Sequence, residues 1–169
     1  MNTCPSCKSP VDEGDHFCSS CGAGLALAKA QTTLGQFIKT LAERYNLAVE
    51  FPRRPGYGWR IDLPPRGEFI CQLAIGSKAT DWYANVLDRY DRHKVWTDWM
   101  DYYGYDKKSE DQLVDDKQRD IAWFVGSWIA ATALRVSQES VLWGLKKRTI
   151  LEWNHSGAWE QVQLCDPAR

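Results

Sequence analysis

The sequence predicts an α+β protein: a small N-terminal unit closed by a metal, followed by an antiparallel sheet packed with helices. Three observations carry this. Four cysteines fall in two tight pairs within the first 21 residues, long stretches alternate apolar and polar residues with a period of two, and other stretches repeat apolar residues at helical spacing. The expected order is the metal-closed unit, a helix, a three-strand meander, helices, and two or three further strands. The expected boundaries are 1–24 for the small unit, 25–31 for a linker and 32–169 for the α+β domain.

The first element rests on Cys4-Pro5-Ser6-Cys7 and Cys18-Ser19-Ser20-Cys21. Each pair brings two thiolates onto one turn, and two such turns close a tetrahedral four-sulfur site. Residues 1–24 are too few to bury a hydrophobic core, so their folding free energy must come from the metal, on the order of 10 kcal/mol for zinc peptides of this kind. Phe17 is expected to pack near Val11, and Asp12-Glu13-Gly14-Asp15 supplies turn formers at the tip between the pairs. The Ala- and Gly-rich stretch from Ala23 to Gln31 has no aromatic anchor and reads as a linker or a frayed helical lead-in.

Thr33 with Gln36 has the form of a capping box, and Leu34, Phe37, Ile38, Leu41 and Tyr45 follow at helical spacing, which predicts a helix over 33–46. The period then becomes two. Leu47, Val49 and Phe51, then Trp59, Ile61 and Leu63, then Phe69, Cys71, Leu73 and Ile75 alternate with mostly polar residues such as Glu50, Arg60, Asp62, Glu68 and Gln72, and Pro- and Gly-rich segments at 52–58 and 64–67 separate them. This predicts a three-strand meander with one apolar face, covered by the first helix. From Asp81 to Tyr105 the spacing reads as helical, but the apolar side changes, so a break is expected near Arg92-His93-Lys94. Ser109 with Gln112 offers a second capping box, opening a core helix that carries Leu113, Val114, Ile121, Val125, Trp128, Ile129 and Val136. Alternation returns in Val141, Trp143, Leu145 and in Thr149, Leu151, Trp153, with Lys146-Lys147-Arg148 expected as the turn between them and Asn154-His155-Ser156-Gly157 as the next.

Bulk properties narrow the function classes. Lysine and arginine number 21 against 22 acidic residues, so the formal net charge of −1 supplies no global attraction to nucleic acid or anionic membrane. The first 24 residues carry Lys8 against Asp12, Glu13 and Asp15, and four metal-bound thiolates add to that negative field. Met1-Asn2-Thr3 leads straight into the first cysteine turn, leaving no room for a signal peptide, and a cytoplasmic location in a reducing environment is expected. The longest apolar run, Ile121 to Leu134, is broken by Gly126, Ser127 and Thr132 and falls short of the ~20 residues that span a bilayer. Cys71 and Cys165 stand alone and read as buried small hydrophobes.

With Cys4, Cys7, Cys18 and Cys21 as ligands, every position of a tetrahedral ion is taken by protein, so the expected cofactor is a structural zinc. Iron and a redox dithiol are the alternatives. His16 is a conceivable substitute ligand, but four thiols already complete the set. Over residues 4–21 the sequence resembles the short zinc ribbons at the N-termini of many bacterial and archaeal proteins, in the pattern Cys-Pro-x-Cys, short spacer, Phe-Cys-x-x-Cys-Gly. Lys8 stands where such ribbons often have glycine. The resemblance implies an adaptor, because such ribbons present a rigid knob to protein or nucleic acid; it implies no reaction.

Three further constellations each admit two readings. The segment 96–106 interleaves Trp96, Trp99, Met100 and Tyr103 with Asp98, Asp101 and Asp106, as a sugar- or peptide-binding platform does, although helical spacing explains the same aromatics as a core stripe. Lys146, Lys147 and Arg148, flanked by Trp143 and Trp153, suit either a nucleic-acid grip or a solvated turn. Asp88, Asp91, Asp98 and Asp101 with His93 suit either a metal or acid/base cluster or a solvent-facing stripe. The chain lacks a Gly-rich phosphate loop, a Gly-x-Ser-x-Gly elbow and a His-Glu-x-x-His pair. The expected function is therefore a zinc-ribbon adaptor recognising another protein. The alternatives are a nucleic-acid-associated factor using 146–148 and an enzyme with a pocket near 96–106.

Overall fold

A computed structural model of the chain describes residues 2–4, 6–11, 18, 20–21, 25–50, 58–76, 81–101, 108–141 and 146–164. Among these, the chain forms two helices and three antiparallel sheets, an α+β architecture with the small ribbon at the N-terminus. In the ribbon, β1 (Asn2–Thr3) pairs with β2 (Pro10–Val11). The helix α1 (Leu25–Tyr45) follows.

The start of α1 corrects the expected helix boundary. It begins eight residues before Thr33, so Thr33 and Gln36 lie inside the helix rather than at its start. Of the two readings of this stretch, a linker or a helical lead-in, residues 25–31 follow the second and form its first turns, because alanine and leucine favour helix strongly. The other end stops where predicted. Asn46 adopts a left-handed φ of 51° and the Leu47 N–H donates to the Ala42 carbonyl at 2.9 Å, a Schellman closure that lets the chain turn into the sheet.

The five-stranded sheet runs in the order β3 (Ala48–Glu50), β4 (Trp59–Arg66), β5 (Phe69–Ile75), β6 (Asp81–Asp88), β7 (Lys94–Asp101). The meander β3 to β5 has the expected register, with Ile61 opposite Leu73 and Leu63 opposite Cys71. Its apolar face is buried under Leu34, Ile38 and Leu41 of α1, which belong to the same core cluster. Gly67, at a φ of 58°, opens the two-residue connection between β4 and β5.

The expectation of helices over 81–105 is overturned. Residues 81–101 are the hairpin β6–β7, joined at 89–93 close to the expected break, and Trp82, Ala84 and Val86 point inward in alternation with Tyr83 and Asn85. Leu87 pairs with Lys94 and Val86 with Trp96, so Val95 is one extra residue, a bulge in the edge strand β7. Residues 102–106, in the aromatic segment, lie outside the described residues.

Ser109 caps α2 (Glu110–Ala130) with the full capping box: its hydroxyl accepts from the Gln112 N–H and the Gln112 side chain accepts from its own N–H. The helix ends at Ala130, and Val136, expected on it, belongs to β8 (Ala133–Val141). This strand pairs with β9 (Lys146–His155), which pairs in turn with β10 (Ala158–Gln161) to make a three-stranded sheet. The basic triplet 146–148, expected as a turn, is therefore the start of a strand. The second expected turn is in place. Ser156 and Gly157 both take positive φ, 55° and 95°, as a two-residue type I′ hairpin demands, and Asn154 Oδ1 accepts from the Gly157 N–H.

One core joins both helices to the two larger sheets. Its centre is aromatic: Phe124 of α2 meets the Trp82 ring edge-on at 5.7 Å, lies 5.6 Å from Trp153 of β9 and stacks with Trp128 at 6.5 Å. Trp128 donates its indole N–H to the Pro64 carbonyl at 2.9 Å. The C-terminal end of α2 has no basic residue of its own, and Arg66 from β4 supplies one, donating to the carbonyls of Trp128 and Ile129. Cys71 is fully buried, as expected of a small hydrophobe, and burial pushes its thiol pKa well above the usual range. No helix among the described residues is long and apolar enough to cross a membrane.

Candidate metal centre

The first cysteine turn is built by the backbone. Cys4 donates its N–H to the Ser9 carbonyl and Lys8 donates back to the Cys4 carbonyl, both at 2.8 Å, which folds 4–9 into a loop with Cys4 and Cys7 on one side. Lys8 sits at a φ of 65°, in the left-handed region. That is the physical reason ribbons favour glycine at this point: a Cβ there costs roughly 1 kcal/mol.

The four thiols meet as the spacing predicts. Every sulfur lies within 4.8 Å of the others, with Cys4 and Cys21 at 3.7 Å and Cys7 and Cys18 at 3.5 Å. A disulfide requires ~2.05 Å, so these are not bonded pairs. Two sulfurs bound to one tetrahedral zinc at ~2.3 Å stand ~3.8 Å apart, so the donor set fits that ion in both chemistry and spacing. Cys4 and Cys18 are buried while Cys7 and Cys21 face outward, so the cluster is walled on one side by the chain.

The environment favours thiolates. Hydrogen bonds from the backbone, chiefly at Cys7, hold the Cys4 thiol below its ordinary 9.0. The Ser9 hydroxyl and N–H pull Cys7 down to about 6. A thiol ionised at neutral pH binds a metal without first giving up a proton, which strengthens binding. His16, Phe17 and the tip 12–15 lie outside the described residues.

The other constellations come apart. Trp96 is in the core, whereas Trp99 is 61% exposed on the outer face of the sheet, directly across from Tyr83. The aromatic segment is thus neither a helical stripe nor wholly core. Of the carboxylates, Asp88, Asp91 and His93 gather in the β6–β7 turn. There they act as turn builders: Asp88 accepts from the N–H groups of Tyr90 and Asp91, and Asp91 accepts from the His93 N–H and ring, which keeps its carboxyl below the usual range. Asp98 lies elsewhere, receiving the N–H groups of Trp99 and Leu164. Arg148 is exposed on β9.

Two lysines stand out in the folded chain. Lys117 is fully buried and donates to the Gly76 carbonyl at 2.9 Å, with its pKa lowered from 10.5 to about 8, mainly by burial and partly offset by Asp81. A signal existed, since 117 falls on the apolar stripe of Val114, Ile121, Phe124 and Trp128. Lys94 shares a cleft with Arg148, a meeting of β7 and β9 that no local pattern encodes.

No curated protein and no solved structure matches the chain. Residues 1–25, which bear the four clustered thiols, match the family model of the zinc-ribbon domain.

Proposed function

We propose that the chain is an adaptor that recognises another protein, with one zinc bound by Cys4, Cys7, Cys18 and Cys21 in a purely structural role. The observation that carries the reading is the closed thiolate set. When bound, zinc supplies cross-linking of two turns that have no core of their own, and four protein ligands leave it no position for substrate or water. What the ribbon offers a partner is then a rigid surface attached to an α+β body. The near-neutral charge of the chain and the acidic ribbon favour protein over nucleic acid as that partner.

The test is affinity capture from the native host with the full-length chain as bait, before and after the zinc is stripped with a chelator. A protein retained in constant ratio and lost with the metal supports the adaptor reading. No retained protein, or one insensitive to the metal, removes the ribbon from recognition. Metal analysis of the purified chain should find one zinc per molecule.

A further inference from the structure

We infer that the cleft between β7 and β9 receives a short, acidic, extended segment of the protein partner. The inference rests on the adaptor reading and adds a place and a chemistry to it. The cleft has a volume of about 380 Å³ and is lined by residues 94–98 of β7, by Arg148 and Thr149 of β9, and by Gln161 and Val162 beyond them. Five consecutive residues of one strand can line one cleft only along the strand's edge, since their side chains alternate between faces. β7 is the terminal strand of its sheet, so among the described residues that edge carries main-chain groups with no neighbouring strand.

Charge selects the occupant. Lys94 and Arg148 are both exposed, face the cleft from its two walls, and among the described residues neither is held in an ion pair. Asp98 is the acidic member of the lining, and its two oxygens already accept the N–H groups of Trp99 and Leu164. Asp98 keeps its charge, but Lys94 and Arg148 outnumber it, so the lining is net cationic, with the hydroxyl of Thr149 and the amide of Gln161 beside them. Trp96 and Val162, both nearly buried, provide an apolar floor. A peptide alternating carboxylates with small apolar residues meets the rims, the floor and the open backbone edge together. Free phosphate uses only the rims.

The same features limit the length of the occupant and exclude a second copy of the chain. The bulge at Val95 bends the edge away from a flat ladder, and the 162–164 segment crosses at Asp98, so only a few residues find an open edge. Two cations among the described lining residues are also too few to hold a run of nucleic-acid phosphates against salt.

The experiment uses the zinc-loaded full chain and a fluorescein-labelled peptide of about eight residues alternating Glu with Val and Thr. Its anisotropy is compared with that of a Lys-for-Glu counterpart, an alternately N-methylated version and a single-stranded oligonucleotide, with inorganic phosphate as competitor. The acidic peptide alone should bind. The double variant Lys94→Glu with Arg148→Glu should weaken it by about tenfold or more, as two opposed charges at one site do. N-methylation should weaken it as well, because it removes main-chain donors. Unchanged thermal melting and zinc content certify the variant's fold. Absence of peptide binding, or binding indifferent to the double variant, overturns the inference, as does a preference for the oligonucleotide. Complete displacement by phosphate with no effect of N-methylation reassigns the cleft to a free anion. If affinity capture retains a partner equally well with the double variant, the cleft inference fails while the adaptor reading stands. If the peptide binds but no host protein is ever captured, the adaptor reading fails instead.

Discussion

Lys117 gives the sharpest handle on the energetics of the α+β body. Its ammonium is fully buried against the Gly76 carbonyl, and burial lowers its pKa from 10.5 to about 8. Below about pH 8 the side chain is charged in both the folded and unfolded chain, and the fold bears the full cost of holding that charge. Between about 8 and 10.5 the unfolded chain keeps the proton that the folded chain releases, so stability rises with pH across this window and levels off above it. The depression corresponds to on the order of 3 kcal/mol. Lys117→Met keeps the length and most of the volume but has nothing to titrate. At pH 7 it removes the desolvation cost and leaves the Gly76 carbonyl without this donor, which costs about 1–3 kcal/mol, so the two changes nearly cancel. The decisive quantity is the difference between wild type and variant. In urea unfolding of the zinc-loaded, reduced proteins from pH 7 to 10.5, the wild type should gain about 3 kcal/mol relative to Lys117→Met, with other titrating groups dropping out of the subtraction. A difference that stays flat across this window would refute the burial argument. A difference of the opposite slope would mean that Asp81 outweighs desolvation.

Four further outcomes are expected. Cys18→Ser should abolish stoichiometric zinc and unfold the ribbon, read by metal analysis and by loss of dispersed amide signals from the β1–β2 hairpin. Lys8→Gly should stabilise the zinc-loaded ribbon by roughly 0.5–1 kcal/mol, seen as slower metal loss to a chelator, because the left-handed φ at this position no longer opposes a Cβ. A chain beginning at Leu25 should still melt cooperatively, since the core cluster draws on Leu34 and residues beyond it; a broad, uncooperative transition would show that the ribbon is part of the folding unit. Trp153→Ala should cost about 3–5 kcal/mol in urea unfolding, because it removes a fully buried ring that Phe124 and Trp123 both contact.

The residues that revealed themselves in the sequence are those whose local pattern admits one reading. Cysteines paired at two-residue gaps, the alternation of Trp59, Ile61 and Leu63 and of Cys71, Leu73 and Ile75, the Ser109 and Gln112 box and the Ser156-Gly157 turn are of this kind. The segment 81–101 is not. Trp82, Val86 and Tyr90 are four apart, and four is both one helical turn and two strand periods, so these positions fit either element. The change of apolar side near Arg92 was the mark of two strands joined by a turn. Position 33 misleads in another way: a hydroxyl three residues before a glutamine has the form of a cap anywhere, and only the alanine-rich stretch before it tells that the helix is already under way. The thiol cluster was legible because both halves of each pair are local. The Lys94 and Arg148 cleft was not, because its walls are more than fifty residues apart and meet only when two sheets close on one core.

The contact from Arg66 to the carbonyls of Trp128 and Ile129 has a kinetic consequence. The last turn of α2 is completed by a side chain more than sixty residues earlier in sequence, carried on the strand that also accepts the Trp128 indole proton through Pro64. That turn can therefore be secured only after the β4–β5 hairpin is in place, while the N-terminal turn, capped by its own Ser109, has no such dependence. In a pulse-labelled refolding experiment, amides near Gln112 should gain protection early and the Ala131 amide late, so that this single helix closes from one end to the other.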